Sequence, residues 1–327
     1  MPSESLRTVY VSLGCDLGIA TVKFIAAGIT GSSAMLSEAI HSVVDSCNGV
    51  LLLWGKRASS RPADLDHPFG YGKELYFWTL IVAVLIFSIG GGMSIYEGID
   101  HVVNSHSSTE SIWSYTVLGV AGVFECITVA VAARDFRRER GKKGLWVGVR
   151  TSKDPTVFTV LLENVAAVVG LLFAFWGIFL GHRLGLPYLD GVGSILIGLT
   201  LAVVAVVTAI ESKGLLIGEG VDKQMLDKIR RLAESDPAVV RAGGPLTMYF
   251  GPNSILVALD VEFQNGLSAG EVTAAVDRLE KSIRTEYPAV KRIFIEAESL
   301  SKARPGDAAA DRSAAMKQAA SASHLQL

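Results

Sequence analysis

The chain has 327 residues, half of them hydrophobic, with a mean hydropathy of +0.40. Charged residues make up 19%, against about 25% in soluble domains. That excludes a wholly soluble chain, and the formal charge of −2 gives no sign of a nucleic-acid partner. Three cysteines, Cys15, Cys47 and Cys126, are scattered through apolar stretches without CxxC spacing, so neither a disulfide framework nor a thiolate zinc site is expected. Residues 1–8, MPSESLRT, read as a short polar N-terminus without a signal-peptide cleavage site.

The apolar stretches that follow predict about six membrane spans, each near the roughly 20 residues needed to cross a bilayer. In chain order they are Val9–Ile29, Ala34–Trp54, Tyr76–Ile99, Ile112–Ala133, Val157–Leu180 and Gly191–Ile210. A tight TGSS turn makes the first two antiparallel neighbours. Basic residues gather after the second span (Lys56, Arg57, Arg61, Lys73) and after the fourth (Arg134 to Lys153), whereas the loop after the third has none. Basic loops stay cytoplasmic, so both termini are expected inside. Residues 9–211 are therefore read as a transmembrane domain. From 212 to 301 the composition is that of a soluble unit with the order αββαβ, expected to be a cytoplasmic ferredoxin-like α+β sandwich. Its hairpin turns at GPNS, and Ser268 with Glu271 predicts a capped helix. Residues 302–327 lack apolar periodicity and read as a disordered tail.

Ionisable side chains inside a span are costly and face the bundle interior. In the second span His41 and Asp45 are four residues apart, hence on one helix face, where an imidazole and a carboxylate together can bind a divalent metal. The competing reading is a hydrogen bond that only joins helices. In the fifth span, which opens with Pro155 near its first helical position, Glu163 is the natural further ligand, or a proton relay. Thr159 shares its face one turn earlier, and Asn164 lies about 100° round the helix, where an interhelix hydrogen bond is the first reading. Weaker candidates are Asp16 and Lys23 in the first span, seven apart and able to share a face without touching, and Glu125 in the fourth and Asp190 at the start of the sixth, as proton carriers or structural partners.

"SSAMLSEAIHSVVDSCNGVLLLWG" followed by "DLDHPFGYGKELYF" resembles the cation diffusion facilitators, the zinc-transporter family, over roughly residues 8–300. The resemblance implies a HxxxD pair at His41 and Asp45, six spans, a ferredoxin-like cytoplasmic domain, and a homodimer exchanging a divalent cation for protons by alternating access. The family's fifth-span HxxxD matches Thr159 and Glu163 here, so the histidine is missing. Three protein ligands and a water then replace the usual four. In the loop, Asp64 and His67 match two positions of a D-x-x-H-x-x-x-H metal pattern whose third is Tyr71. Lys73 matches a basic residue at the dimer's membrane–cytoplasm joint. The soluble unit has no histidine between Asp222 and Leu300, and Glu296 stands where a strand histidine would be, so any regulatory metal site there is expected to be weak.

The leading expectation is a proton-coupled antiporter, not an enzyme, exporting Zn²⁺ from the cytoplasm through His41, Asp45 and Glu163, with no prosthetic group. In a prokaryote it would lie in the inner membrane. The alternatives are Mn²⁺ or Fe²⁺ as cargo, since the donor set is harder than His₂Asp₂, and a non-transporting membrane scaffold.

Overall fold

The computed structural model describes residues 3–104, 112–140 and 153–297. The loop between the third and fourth spans, part of the second basic loop and the expected disordered tail lie outside them. The chain divides into two compact units. The first comprises residues up to Gly218 with 250–252; the second runs from Glu219 to Tyr249 and from Asn253 on.

The first unit is a bundle of long helices: α1 (Ser3–Thr30), α2 (Ser33–Ser59), α3 (Glu74–Leu85), α4 (Gly92–Asn104), α5 (Ile112–Arg140), α6 (Pro155–Leu184) and α7 (Tyr188–Ile217). A widened π turn over Ile86–Gly91 joins α3 to α4 into one rod. Among the described residues, four helical stretches are long and apolar enough to cross a membrane: Glu74–Asn104, Ser114–Arg134, Pro155–Leu184 and Tyr188–Ile217. The described apolar part of α1, Leu17–Thr30, is shorter. The helix α2 carries Glu38, His41, Asp45, Asn48 and four serines within Ser33–Asn48, which lowers its hydropathy. Large apolar side chains such as Ile25, Trp54, Phe87 and Val203 point outward, as lipid-facing residues do. The last helix, α7, continues past residue 211 to Ile217.

Local signals set the helix ends. The Ser32 hydroxyl accepts from the Met35 N–H at the start of α2. Asp154 caps α6 with Pro155 behind it, and Gly185 closes α6 at φ 68°, a left-handed position that glycine tolerates. The bundle core is built from small and aliphatic residues, among them Ala34, Met35, Val44, Ala166, Ala174, Ile197 and Leu201. The rod of α3 and α4 meets α7 through glycines seven residues apart on each side. A Cβ on Gly98 would stand 2.6 Å from the Gly191 carbonyl oxygen, and one on Gly198 2.7 Å from that of Gly91. Small residues let backbones approach in membrane bundles, where hydrophobic exclusion between helices is weak.

The second unit has a four-stranded sheet and two helices, α8 (Lys223–Glu234) and α9 (Ala269–Glu286). The strands are β1 (Val239–Ala242), β2 (Leu246–Gly251), β3 (Ser254–Phe263) and β4 (Val290–Ala297). The central strand β3 is bonded to β2, antiparallel to β1 and parallel to β4. Its Ile255, Val257, Leu259 and Val261 are buried alternately, the period of a strand with one covered face. Ile229 and Ala233 of α8 and Leu279 and Ile283 of α9 belong to the same apolar clusters. The αββαβ expectation gains a strand: β1 has four residues, too short a run to show a period. The capping box at Ser268 and Glu271 forms as expected.

Candidate metal-transport site

The site is built on α2 and α6. Its first member is the pair expected from spacing: His41 Nδ1 lies 3.3 Å from Asp45 Oδ1. His41 is 2% exposed, and neither ring nitrogen has a hydrogen-bond partner among the described residues; nor has Asp45 Oδ1. Buried polar groups are usually hydrogen-bonded. Nδ1 and Oδ1 face each other, and Nε2 of His41 is left without a hydrogen-bond partner among the described residues, an arrangement suited to a cation.

Across from them, Glu163 on α6 is buried, and its Oε1 accepts a 2.8 Å hydrogen bond from the side-chain amide of Asn48. Glu163 interacts electrostatically with Asp45 and His41. Among the described residues, no three histidine, cysteine or acidic side chains converge closely enough to hold a metal as they stand. The His41–Asp45 pair and Glu163 are thus separate halves on facing helices. Thr159, fully buried one turn from Glu163, has no hydrogen-bond partner for its hydroxyl among the described residues. Asn164 is half-buried and lies round the helix from both.

Asn48 was not singled out from the sequence. It sits three residues after Asp45 and seven after His41, so it shares their face. Its Oδ1 is buried without a partner among the described residues. A search of the α2 face for neutral amides, as well as for ionisable groups, would have found it.

Two contacts fix the helix pairing. Asn48 meets Glu163, and Glu38 lies against Gly170, where a Cβ would collide with Glu38 Oε1. Rising numbers on α2 meet falling numbers' counterparts on α6, so the helices are antiparallel and polar levels stack along one seam.

The remaining candidates fall elsewhere. Lys23 pairs with Glu38 at 3.1 Å, and the side chain of Asp16 lies outside the described residues. Glu125 on α5 is half-buried, and its charge acts on Lys23, Asp45, His41 and Glu38. Asp190 accepts from the Ser32 hydroxyl and the Ser33 N–H, each at 2.9 Å, and lies 3.7 Å from His101 Nε2. It ties the start of α7 to the start of α2, a structural partner's position.

In the loop, both Asp64 oxygens accept hydrogen bonds. Oδ1 takes the His67 N–H and Oδ2 the Tyr71 hydroxyl, each at 2.7 Å. His67 Nδ1 stands 3.7 Å from Asp64. The Tyr71 hydroxyl and then the His67 N–H hold the Asp64 carboxyl below its ordinary range, and the same bond pushes the Tyr71 phenol up. At Lys73, the ammonium donates to the Leu216 carbonyl at 3.3 Å. Glu296 of the second unit is exposed on β4.

With this geometry in place, comparison with known proteins is informative. The model of the cation efflux transmembrane domain matches residues 9–217. The mouse protein named proton-coupled zinc antiporter SLC30A9, mitochondrial, is 30% identical over 313 residues, covering 84% of this chain and 55% of its own length. Metal tolerance protein C4 of Arabidopsis thaliana is 29% identical over 336 residues, covering 90% of this chain and 74% of its own. An uncharacterized transporter of Methanocaldococcus jannaschii is 23% identical and is covered over 94% of its length. The chain therefore spans about half the length of the mouse relative.

Proposed function

The chain belongs to the cation efflux family, the cation diffusion facilitators, and we propose that it is a proton-coupled divalent-cation antiporter exporting Zn²⁺ from the cytoplasm. It is a multi-pass membrane protein that transports metal cations. The proposal adds six spans with both termini cytoplasmic, a homodimer, and a soluble unit that serves mainly in dimerisation. In a prokaryote the membrane is the inner one.

One observation carries the site: the buried His41–Asp45 pair, with Nε2 of His41 unpartnered among the described residues, on the helix face opposite Glu163. In the proposed cycle His41 and Asp45 take the cation first. Glu163 completes the coordination when α2 and α6 close, with water as a fourth ligand. Ligand atoms must be deprotonated to bind metal, so protons entering from the far side displace the cation from the same atoms. That competition supplies the exchange.

A second cargo, Mn²⁺ or Fe²⁺, is favoured by one further observation. Asn48 Oδ1 and Thr159 Oγ1 are buried without hydrogen-bond partners among the described residues. Added to Asp45 and Glu163 they make an oxygen-rich set, which suits harder ions. Zinc stands first because the imidazole of His41 is present, and because the mouse relative is named a zinc antiporter.

Uptake of radiolabelled Zn²⁺, Mn²⁺ and Fe²⁺ into vesicles carrying the purified chain, with and without an imposed pH gradient, tests the reading. Gradient-driven flux with Zn²⁺ the best competitor is expected. Flux of Mn²⁺ over Zn²⁺ would move the assignment to the second cargo. Metal binding with no flux under any gradient would leave a scaffold in place of a transporter.

A further inference from the structure

Among the described residues Lys23 is the only buried lysine or arginine. From α1 its ammonium donates to Glu38 Oε2 at 3.1 Å and to the Ser42 hydroxyl at 2.8 Å, both on α2. The Lys23 and Glu38 side chains are fully buried. Glu38, Ser42 and Asp45 follow one another along the helix face that carries His41, so the ammonium sits beside His41, between Glu38 on the side of the start of α2 and Ser42. Gly170 of α6 provides the room for Glu38 Oε1, and that oxygen has no hydrogen-bond partner among the described residues. The charged side chains around the pair are His41 and Asp45 on α2 and Glu125 on α5.

As a fixed helix joint this pair is poorly made. Taking two charges out of water is repaid only when the remaining donors and acceptors are satisfied, and one carboxylate oxygen is not. Serine, threonine or asparagine would join membrane helices at lower cost. The placement gives the charges a different use. A positive group stands on the seam just beyond the transport site, where it repels a divalent cation moving toward the start of α2.

From this we infer that Lys23 and Glu38 form an ion-pair gate on that side of the transport site. Paired, as here, the ammonium bars the cation. Parted, the pair leaves the seam open to the cation leaving His41 and Asp45. The inference rests on the transport reading of the site.

The test uses the full chain in lipid nanodiscs and the double variant Lys23→Met/Glu38→Gln, which keeps local net charge and side-chain length. Zn²⁺ is the probe. Opening a gate speeds entry and exit together and leaves the equilibrium alone. Stopped-flow binding and release to a chelator should each accelerate about tenfold, the scale of one charged hydrogen bond, with Kd unchanged within about threefold. In vesicles the variant should pass Zn²⁺ without a pH gradient, and the reversed pair Lys23→Glu/Glu38→Lys should restore dependence on it. Ser42→Ala, which removes one of the two acceptors, should show a smaller acceleration and covers failure of the double variant to fold. Wild-type rates and coupling in folded variants overturn the gate and leave a structural ion pair. If the wild type binds Zn²⁺ but moves none, the transport reading fails, while the binding and release rates still judge the gate.

Discussion

Asn48 donates its side-chain amide to Oε1 of Glu163 across 2.8 Å, joining α2 to α6 with both side chains buried. The bond holds the carboxylate that is proposed as a metal ligand by one of its oxygens. Partners of this kind orient metal ligands, and losing one typically lowers metal affinity about 10–100-fold. Asn48→Ala should therefore raise the Zn²⁺ Kd on that scale, measured by calorimetry on the purified chain, without lowering its thermal midpoint by more than a few degrees. Unchanged affinity would make Asn48 a helix joint only.

His41→Ala and Asp45→Ala should each abolish metal flux while the chain still folds. In the structure the two side chains meet each other at 3.3 Å, and His41 Nε2 has no hydrogen-bond partner among the described residues. Size-exclusion profiles matching wild type, with flux at background, are the expected pair of results. Near-normal flux in either variant would place the site elsewhere.

Glu163 and Asn164 should separate cleanly. Glu163→Gln keeps size and removes charge, and should end both metal binding and proton coupling. Asn164→Ala should cost at most part of the rate, since a membrane interhelix hydrogen bond is worth about 0.6–2 kcal/mol. Thr159→His restores an imidazole one turn from Glu163 and should shift preference from Mn²⁺ toward Zn²⁺. A dead Asn164→Ala with an active Glu163→Gln would show that Asn164 is the ligand.

The glycine seam sets a stability test. A methyl group on Gly98 or Gly191 would meet the facing carbonyl oxygen at 2.6 or 2.7 Å, and backbone cannot rotate aside as a side chain can. Overpacking of this kind costs about 1–3 kcal/mol or more. Gly98→Ala and Gly191→Ala should each lower the thermal midpoint in detergent. The same change at Gly119, where a Cβ has nothing within 4 Å, should not.

In the second unit Arg278 grips Asp236 with two bonds of 2.7 and 2.8 Å and holds its carboxyl below the ordinary range. A depressed carboxyl stabilises the fold above its unfolded value, about pH 4, and the contribution is lost as pH falls through the folded value. Arg278 is half-exposed, so solvent screens the pair and its contribution is small. Arg278→Ala should lower the thermal midpoint of this unit at pH 7, and the gap to wild type should close as pH drops below about 4. A constant gap down to about pH 2 would show lost packing, not lost charge.

The sequence by itself determined the family, the membrane character and the His41–Asp45 pair, because all three are carried by local signals: hydropathy runs, a four-residue helical spacing and a contiguous motif. It also set the capped α9, whose Ser268 and Glu271 act within one turn. Tertiary structure alone decided which groups face one another. Asn48 reads as an ordinary neutral residue until α6 brings Glu163 against it. Glu38 carries no signal of its own in the sequence until Lys23 from α1 and the bare Gly170 from α6 enclose it. Asp190 leaves alternatives open in sequence and ends as the cap on a helix more than 150 residues away. Periodicity assigns a residue to a face of its own helix. It holds no record of the rotation at which a second helix packs, because that is set by shape, here by glycines that let α4 and α7 touch backbone to backbone.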